Sequence, residues 1–252
     1  MRGRLYLVPA PLDFGCAAEV PIAEVLPAGT LAVAARLTHW ICENAKSARA
    51  MLKRVGEVQP LALPLQQQRI AELPRAVHKK GDHQASSFDA RPLLQAALEG
   101  ADMGLLSEAG MPAVADPGSS VVRAAHELGI EVVPLVGPVS LLLTLAASGL
   151  NGQNFAFVGY LPQEAGARAQ RLRELEALAW RTGQTQIFIE TPYRNEAVWQ
   201  ALLQVLKPQT RVAVGMGLTS PTASCGSAPV AAWKQRSAPV KNDTPTVFAI
   251  GA

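Results

Sequence analysis

The chain has 252 residues, 49% hydrophobic and 17% charged, with a formal net charge of +3. That length supports a sizeable buried core, and the composition excludes both a disordered tail and a highly charged nucleic-acid arm. Aromatic residues make up only 5%, against 20 Gly and 19 Pro, which suits an α/β protein with many turns better than an aromatic-rich sandwich.

In chain order, residues 5–8 are predicted as a first strand, ended by Pro9 and Pro11. Residues 30–35, rich in small and β-branched side chains, are predicted as a second. Ala45, Ala48, Leu52 and Val55 recur at helical spacing and predict a helix over 43–55, closed by Gly56. Residues 61–65 form a short apolar piece, 77–85 are polar and irregular, and 91–98 read as a helix ended by Gly100. A strand over 103–106 feeds the loop 107–118. A helix over 119–128 follows, with Gly129 as its left-handed C-terminal residue. Residues 130–136 are a strand, and Pro138 opens a helix that ends near Gly149. After a polar turn at Asn151-Gly152 the pattern restarts with strands over 155–161, 186–190, 211–216 and 246–250, and helices over 165–180 and 195–206. Such alternation argues for an α/β fold of parallel strands joined by helical crossovers. Two domains are expected, 1–152 and 153–252.

Cys16, Cys42 and Cys225 are far apart and odd in number. They supply neither a disulfide framework nor a CxxC metal pair, so a reducing, cytoplasmic location is expected. The apolar run near the N-terminus is cut at Pro9, too short for a signal-peptide core. The uncharged stretch 132–163 is broken by Pro134, Gly137, Pro138 and Gly149, and reads as strand, turn and helix rather than as a membrane span. His39, His78, His83 and His126 lack metal-ligand spacing. His78 and His83 with Asp82 are the nearest approach to a site, and a polar surface loop is the plainer reading. No metal is expected.

Two loops stand out. In 107–118, a strand ends in Ser107-Glu108-Ala109-Gly110-Met111-Pro112, continues to Asp116-Pro117-Gly118, and a helix begins. Ligands of open α/β sheets sit at such carboxyl ends. Gly110 would let a ligand approach the backbone, and Pro112 and Pro117 would stiffen the loop. In the second, Val136-Gly137-Pro138-Val139-Ser140, a buried strand again ends in Gly-Pro, and Ser140 stands in the first turn of the next helix. Neither loop is a dinucleotide G-x-G-x-x-G or a Walker sequence, and there is no nucleophile elbow and no H-E-x-x-H.

These segments resemble the tetrapyrrole methylase superfamily, the class III S-adenosylmethionine (AdoMet) methyltransferases. The chain is most similar to the branch of small-subunit ribosomal RNA 2′-O-ribose methyltransferases I. The branch's L-Y-[IL]-V strand, C-E-D-T-R, D-A-G-x-P with D-P-G, P-G-P-S, G-F-L-P and E-S-P-H-R have counterparts here. They are, in order, residues 5–8, 42–46, the 107–118 loop, 136–140, Gly159-Tyr160-Leu161-Pro162, and Glu190-Thr191-Pro192-Tyr193-Arg194. The resemblance implies two α/β domains with AdoMet in the cleft between them, and a homodimer. It implies cofactor contacts from Gly110, Met111, Pro112 and Val114, then Ser140 and Leu141, and from Ile189, Met216 and Pro245 in the second domain. An in-line methyl displacement draws much of its rate from positioning, so the absence of an acid–base triad is no objection to an enzyme.

There are departures. The branch's G-N-L-G-D reads Leu12-Asp13-Phe14-Gly15-Cys16, its C-E-D-T-R ends in Asn44-Ala45-Lys46, and its R-E-L-T-K reads Met216-Gly217-Leu218-Thr219-Ser220. The cofactor side looks kept and the charged substrate side rewritten, so no catalytic residue is carried over. Lys46, Arg49 and Lys53 on one helix face, and Arg168 and Arg171 on another, are candidate phosphate contacts or plain solvated faces. The expected activity is AdoMet-dependent methyl transfer to an RNA ribose hydroxyl. The alternatives are methylation of a tetrapyrrole or other metabolite, and a non-catalytic AdoMet- or RNA-binding module.

Overall fold

The computed structural model describes residues 2–13, 16, 19–74, 77, 82 and 88–252. The chain forms two compact units, one of Met1–Phe14 and Val20–Pro138, the other of Gly15–Glu19 and Val139–Ala252. The main division therefore falls at Pro138, not near residue 152. The reason is the helix Ser140–Ser148, whose Leu141 and Leu145 join the core of the second unit.

In the first unit, β1 (Arg4–Val8), β2 (His39–Cys42), β3 (Arg69–Glu72), β4 (Met103–Leu106) and β5 (Glu131–Pro134) form a parallel sheet in the order β3-β2-β4-β1-β5. Alternation along β1 feeds two cores. Tyr6 and Val8 pack with α1 (Ile22–Val25), α2 (Ala28–Arg36) and α3 (Ala45–Val58), while Leu5 packs with Leu94, Ile41, Leu105 and α5 (Ser119–Glu127). The central strands are covered on both faces, which is why β4 is an unbroken apolar run. Glycine in that run serves packing. A Cβ on Gly104 would stand 2.4 Å from the Trp40 ring, and Trp40 Nε1 donates to Gln68 Oε1 at 3.0 Å, so the indole is held where a larger β4 residue would put its own side chain.

Four readings from the sequence change here. Residues 30–35 are helical, inside α2: Thr30, Leu31, Ala34 and Ala35 are buried at helical spacing, and alanine favours the helix. The third helix does not stop at Gly56 but runs through it to Val58, at the usual glycine cost of about 1 kcal/mol. The short strands β2 and β3 were not anticipated. The predicted helix at 91–98 is a 3₁₀ turn, Arg91–Leu94, running into α4 (Gln95–Leu98).

The second unit holds α6 (Ser140–Ser148), β6 (Phe155–Tyr160), α7 (Ala165–Thr182), β7 (Thr185–Glu190), α8 (Asn195–Val205), β8 (Arg211–Met216), β9 (Ser224–Pro229) and β10 (Thr246–Gly251). Its sheet runs β6-β7-β10-β8-β9. Only β6 and β7 are parallel, and the β7–β10, β10–β8 and β8–β9 pairs are antiparallel. The parallel expectation thus holds for the first sheet and fails for most of the second. Strand β9, SCGSAP, lacks an apolar run and escaped prediction. Its Gly226 makes room for the Trp233 ring, 2.7 Å from where a Cβ would lie. One face of this sheet packs Phe188 and Phe248 with Leu172, Trp199 and Trp233. The other face packs Ile187, Ala213, Val247 and Ala249 against α6. Both units are α/β, as expected. Among the described residues no helix is long and apolar enough to cross a membrane.

Candidate active site

The loop 107–118 leaves the carboxyl end of β4, beside the ends of β1 and β2. Gly110 has φ +70°, a conformation that costs any side-chain-bearing residue about 1–2 kcal/mol. Its N–H donates to Ala10 O at 3.0 Å and its carbonyl accepts from Ala10 N at 2.9 Å. Both polar groups are thereby spent on holding the loop to the end of β1. Neither group is therefore free to bond a ligand. A Cβ there would meet Leu12 Cδ2 at 3.2 Å and Pro138 O at 3.5 Å. Ala113 and Ala115 also have positive φ, 63° and 66°, strain of the kind that collects at ligand loops. Met111, Pro112 and Val114 line a largely apolar pocket of ≈ 690 Å³ with Leu7, Val122 and His126. Val114 is 41% exposed.

The loop ends on a borrowed cap. Helix α5 begins after Gly118, which has no side chain to cap it. The Asp82 carboxylate does so from a distance. It accepts from Gly118 N (2.9 Å), Ser119 Oγ (2.7 Å), Ser120 N (2.9 Å) and Ser120 Oγ (2.6 Å). Burial alone would raise the Asp82 pKa, but these bonds outweigh it and hold it below the ordinary carboxylate range. His78 and His83 lie outside the described residues. Asp82 itself is committed to this cap.

A second group of side chains was not anticipated. Glu43 follows Cys42, the last residue of β2, and precedes Asn44, which caps α3 by accepting from Lys46 N at 2.9 Å. Cys42 pairs in register with Leu106, so Glu43 and Ser107 leave neighbouring strand ends together. Glu108 Oε1 lies 3.1 Å from Ser47 Oγ in the first turn of α3. Burial first, then the charges of Asp116 and Glu108, push the Glu43 carboxyl up to about 8. Burial and Glu108 push Asp116 up to about 6. Burial also raises the Cys42 thiol to about 12, so it stays protonated and unreactive. The signal that could have found these carboxylates was their place at the carboxyl ends of adjacent strands.

In the second unit, α6 opens without a side-chain cap at Val139, and the Val139 carbonyl accepts from Leu142 N and Leu143 N. Ser140 and Leu141 thus begin a helix whose first amides are open to a ligand. Leu141 is buried in the same cluster that Ile189 borders. Ile189 pairs with Val247, Thr246 pairs with both Glu190 and Met216, and Gly217 N donates to Pro245 O at 2.9 Å. Ile189, Met216 and Pro245 therefore share one end of the second sheet. In the E-S-P-H-R counterpart, buried Glu190 takes a hydrogen bond from Arg194 and another from Thr191 N at 2.8 Å, so this segment braces the end of β7. Among the described residues no group of His, Cys, Asp or Glu is arranged to hold a metal ion. Lys46, Arg49 and Lys53 are exposed on α3, away from buried Ala48, Met51, Leu52 and Val55. Arg168 and Arg171 are half-buried, bonded to Gln163 O and Glu174.

Residues 31–230 match the family described as Tetrapyrrole (Corrin/Porphyrin) Methylases. The chain belongs to that family. This tetrapyrrole methylase is 35% identical over 216 residues to "Ribosomal RNA small subunit methyltransferase I" of Mesorhizobium japonicum, covering 85% of the chain and 63% of that relative. It is 31% identical over 229 residues to the protein of the same name from Escherichia coli O157:H7, covering 91% and 70%. The alignments with the Mesorhizobium and Vibrio cholerae relatives span less than two thirds of their length, 63% and 47%. In fold, the methylase is similar to the methyltransferase CobJ, with a TM-score of 0.57 at 17% identity over 99% of this chain and 94% of that one. It is also similar to uroporphyrin-III C-methyl transferase from Thermus thermophilus complexed with S-adenyl homocysteine, with a TM-score of 0.52 at 18% identity over 99% and 97%.

Proposed function

We propose that this chain is an AdoMet-dependent methyltransferase that acts on a ribose hydroxyl of small-subunit ribosomal RNA. The observation that carries the reading is the 35% identity to a ribosomal RNA small subunit methyltransferase I across 85% of the chain. The residues suit the cofactor. The apolar pocket beside Met111, Pro112 and Val114 suits a flat, weakly polar group, and the left-handed Gly110, bridged to Ala10, holds the loop that carries them. In the second unit, the open turn at Ser140 and Leu141 offers amides, while Ile189, Met216 and Pro245 offer a sheet end. When bound, AdoMet supplies an electrophilic methyl group on a sulfonium. The chain's part is to hold donor and acceptor in line and to exclude water, which is worth roughly 7–11 kcal/mol at best.

The lack of the branch's charged R-E-L-T-K residues at 216–220 supports a different ribose from the one the branch usually methylates. We further assign a cytoplasmic homodimer, the commonest closed assembly. The test is transfer of labelled methyl from AdoMet to small ribosomal subunits lacking ribose methylation, with the labelled nucleotide mapped. Label on a ribose is expected, away from the branch's usual position. Label only in a small-molecule fraction would move the acceptor to a metabolite, and tight AdoMet binding without turnover on any acceptor would leave a binding module.

A further inference from the structure

We propose that Glu43 is the proton acceptor for the methyl-accepting hydroxyl, with Ser107 beside it to receive that hydroxyl's oxygen. The proposal rests on the methyltransferase reading above. Four observations in the first unit carry it. The Glu43 backbone is fixed from both sides, by the β2–β4 register and by the capped start of α3. Its Oε1 is buried and has no hydrogen-bond partner among the described residues. Ser107 is only 4% exposed, and its Oγ stands within hydrogen-bonding reach of the Glu43 carboxyl, where it holds back part of the rise in that carboxyl's proton affinity. Buried polar atoms are nearly always satisfied, and the open Oε1 of Glu43, with the Ser107 hydroxyl next to it, marks a place for a group that arrives from outside. Finally, Glu43 and Ser107 stand at the root of the loop that carries Gly110, at the strand ends where ligands of parallel sheets bind.

The chemistry balances without any further reagent. The hydroxyl oxygen bonds to the methyl carbon as the carbon–sulfur bond breaks, and that bond's electron pair stays on sulfur. The hydroxyl proton passes to a Glu43 carboxylate oxygen and is later released to water. The charged groups that act on Glu43 are Asp116, Glu108 and Asp82, and Glu43 in turn raises the neighbouring Cys42 thiol. All three carboxylates raise its proton affinity, as suits a base working near neutral pH. They also give this corner a negative character, which favours a neutral hydroxyl there over a phosphate.

The experiment compares the full-length wild type with E43Q, S107A and D116N in three measurements. The first is AdoMet affinity by calorimetry. The second is the pH titration of the Glu43 carboxyl, followed by carbon NMR of ¹³C-glutamate-labelled protein and assigned by its loss in E43Q. The third is the single-turnover rate of methyl transfer to unmethylated small ribosomal subunits across pH. The expected result is unchanged AdoMet affinity in E43Q and a Glu43 titration far above the ordinary range, moved lower by D116N. The wild-type rate should climb about tenfold per pH unit up to about 8, and E43Q should slow it about 100-fold or more and flatten that climb. A Glu43 that titrates as an ordinary carboxyl would overturn the proposal. So would an E43Q rate within threefold of wild type with the climb intact. If AdoMet binds but the subunits take no label, the RNA reading fails, and the titration then decides for or against Glu43 by itself.

Discussion

Ala10 and Gly110 exchange two backbone hydrogen bonds, 2.9 and 3.0 Å long, forming an isolated antiparallel bridge between the segment after β1 and the loop after β4. The bridge locks the loop to the sheet at a residue whose φ is +70°. Gly110→Val therefore acts twice. It forces a β-branched residue into the left-handed region and drives a Cβ toward Leu12 and the Pro138 carbonyl. A stability loss of about 1–3 kcal/mol is expected together with loss of AdoMet binding, where glycine's role in close ligand approach alone would predict loss of binding only. Gly110→Ala should lie between. Urea denaturation alongside calorimetric titration checks both effects, and normal stability in the Val variant would show that the bridge does not hold the loop.

Asp82 gives a prediction with a clear pH sign. Its folded pKa is depressed, so its contribution to stability is present above its unfolded value, near 4. That contribution is lost as pH falls through the lower folded value. Asp82→Ala should cost about 2 kcal/mol at pH 7, since hydrogen bonds to an ionised cap are among the stronger ones. The difference from wild type should shrink in acid. Equal unfolding midpoints at pH 7 would remove Asp82 from the account of α5.

Glu43 and Asp116 have the opposite sign. Folding raises them to about 8 and about 6, so the native state binds protons more tightly than the unfolded one. Stability should fall as pH rises from about 4.5 to 8 and level off beyond. Glu43→Gln removes the larger part of that slope, and should melt higher than wild type at pH 8 and about equally at pH 5. Melting curves taken across this range decide it. Parallel curves for the two proteins would refute the raised carboxyl.

Lys46, Arg49 and Lys53 form an exposed cationic row on α3. If it holds RNA phosphates, replacing all three by alanine should weaken RNA binding uniformly across sequences and reduce the slope of log affinity against log salt by about 2. AdoMet affinity should not change. Filter binding at several salt concentrations tests this, and an unchanged slope would make the row a solvated face.

Much of this fold was legible because long elements carry their period openly. The strand at 246–250 and the helix ending at Gly149, whose φ is 68°, follow from alternation and from a left-handed C-terminal glycine. The losses have physical reasons too. Residues 30–35 have the small and β-branched look of a strand, yet Thr30, Leu31, Ala34 and Ala35 bury one helical face. β2 and β3 have four residues each, too few to show a period. β9 gains its place from pairing with β8 and from the space Gly226 leaves for Trp233, which no local pattern reveals. At the site, Glu43 reads from the sequence as the first residue of the helix predicted over 43–55, whereas that helix begins at Ala45 and leaves Glu43 at the end of β2. Its meaning depends on the Cys42–Leu106 register, a relation between residues more than sixty positions apart.

Trp40, wedged over Gly104 and tied to Gln68, is the only indole before residue 139, while Trp180, Trp199 and Trp233 all lie after it. Nature has thus wired one spectroscopic sensor into the first unit and three into the second. Protein grown on fluorotryptophan would carry one fluorine signal that hears only the sheet beneath the Gly110 loop. Each half of the molecule would then report its own response to AdoMet, RNA or heat from a single sample.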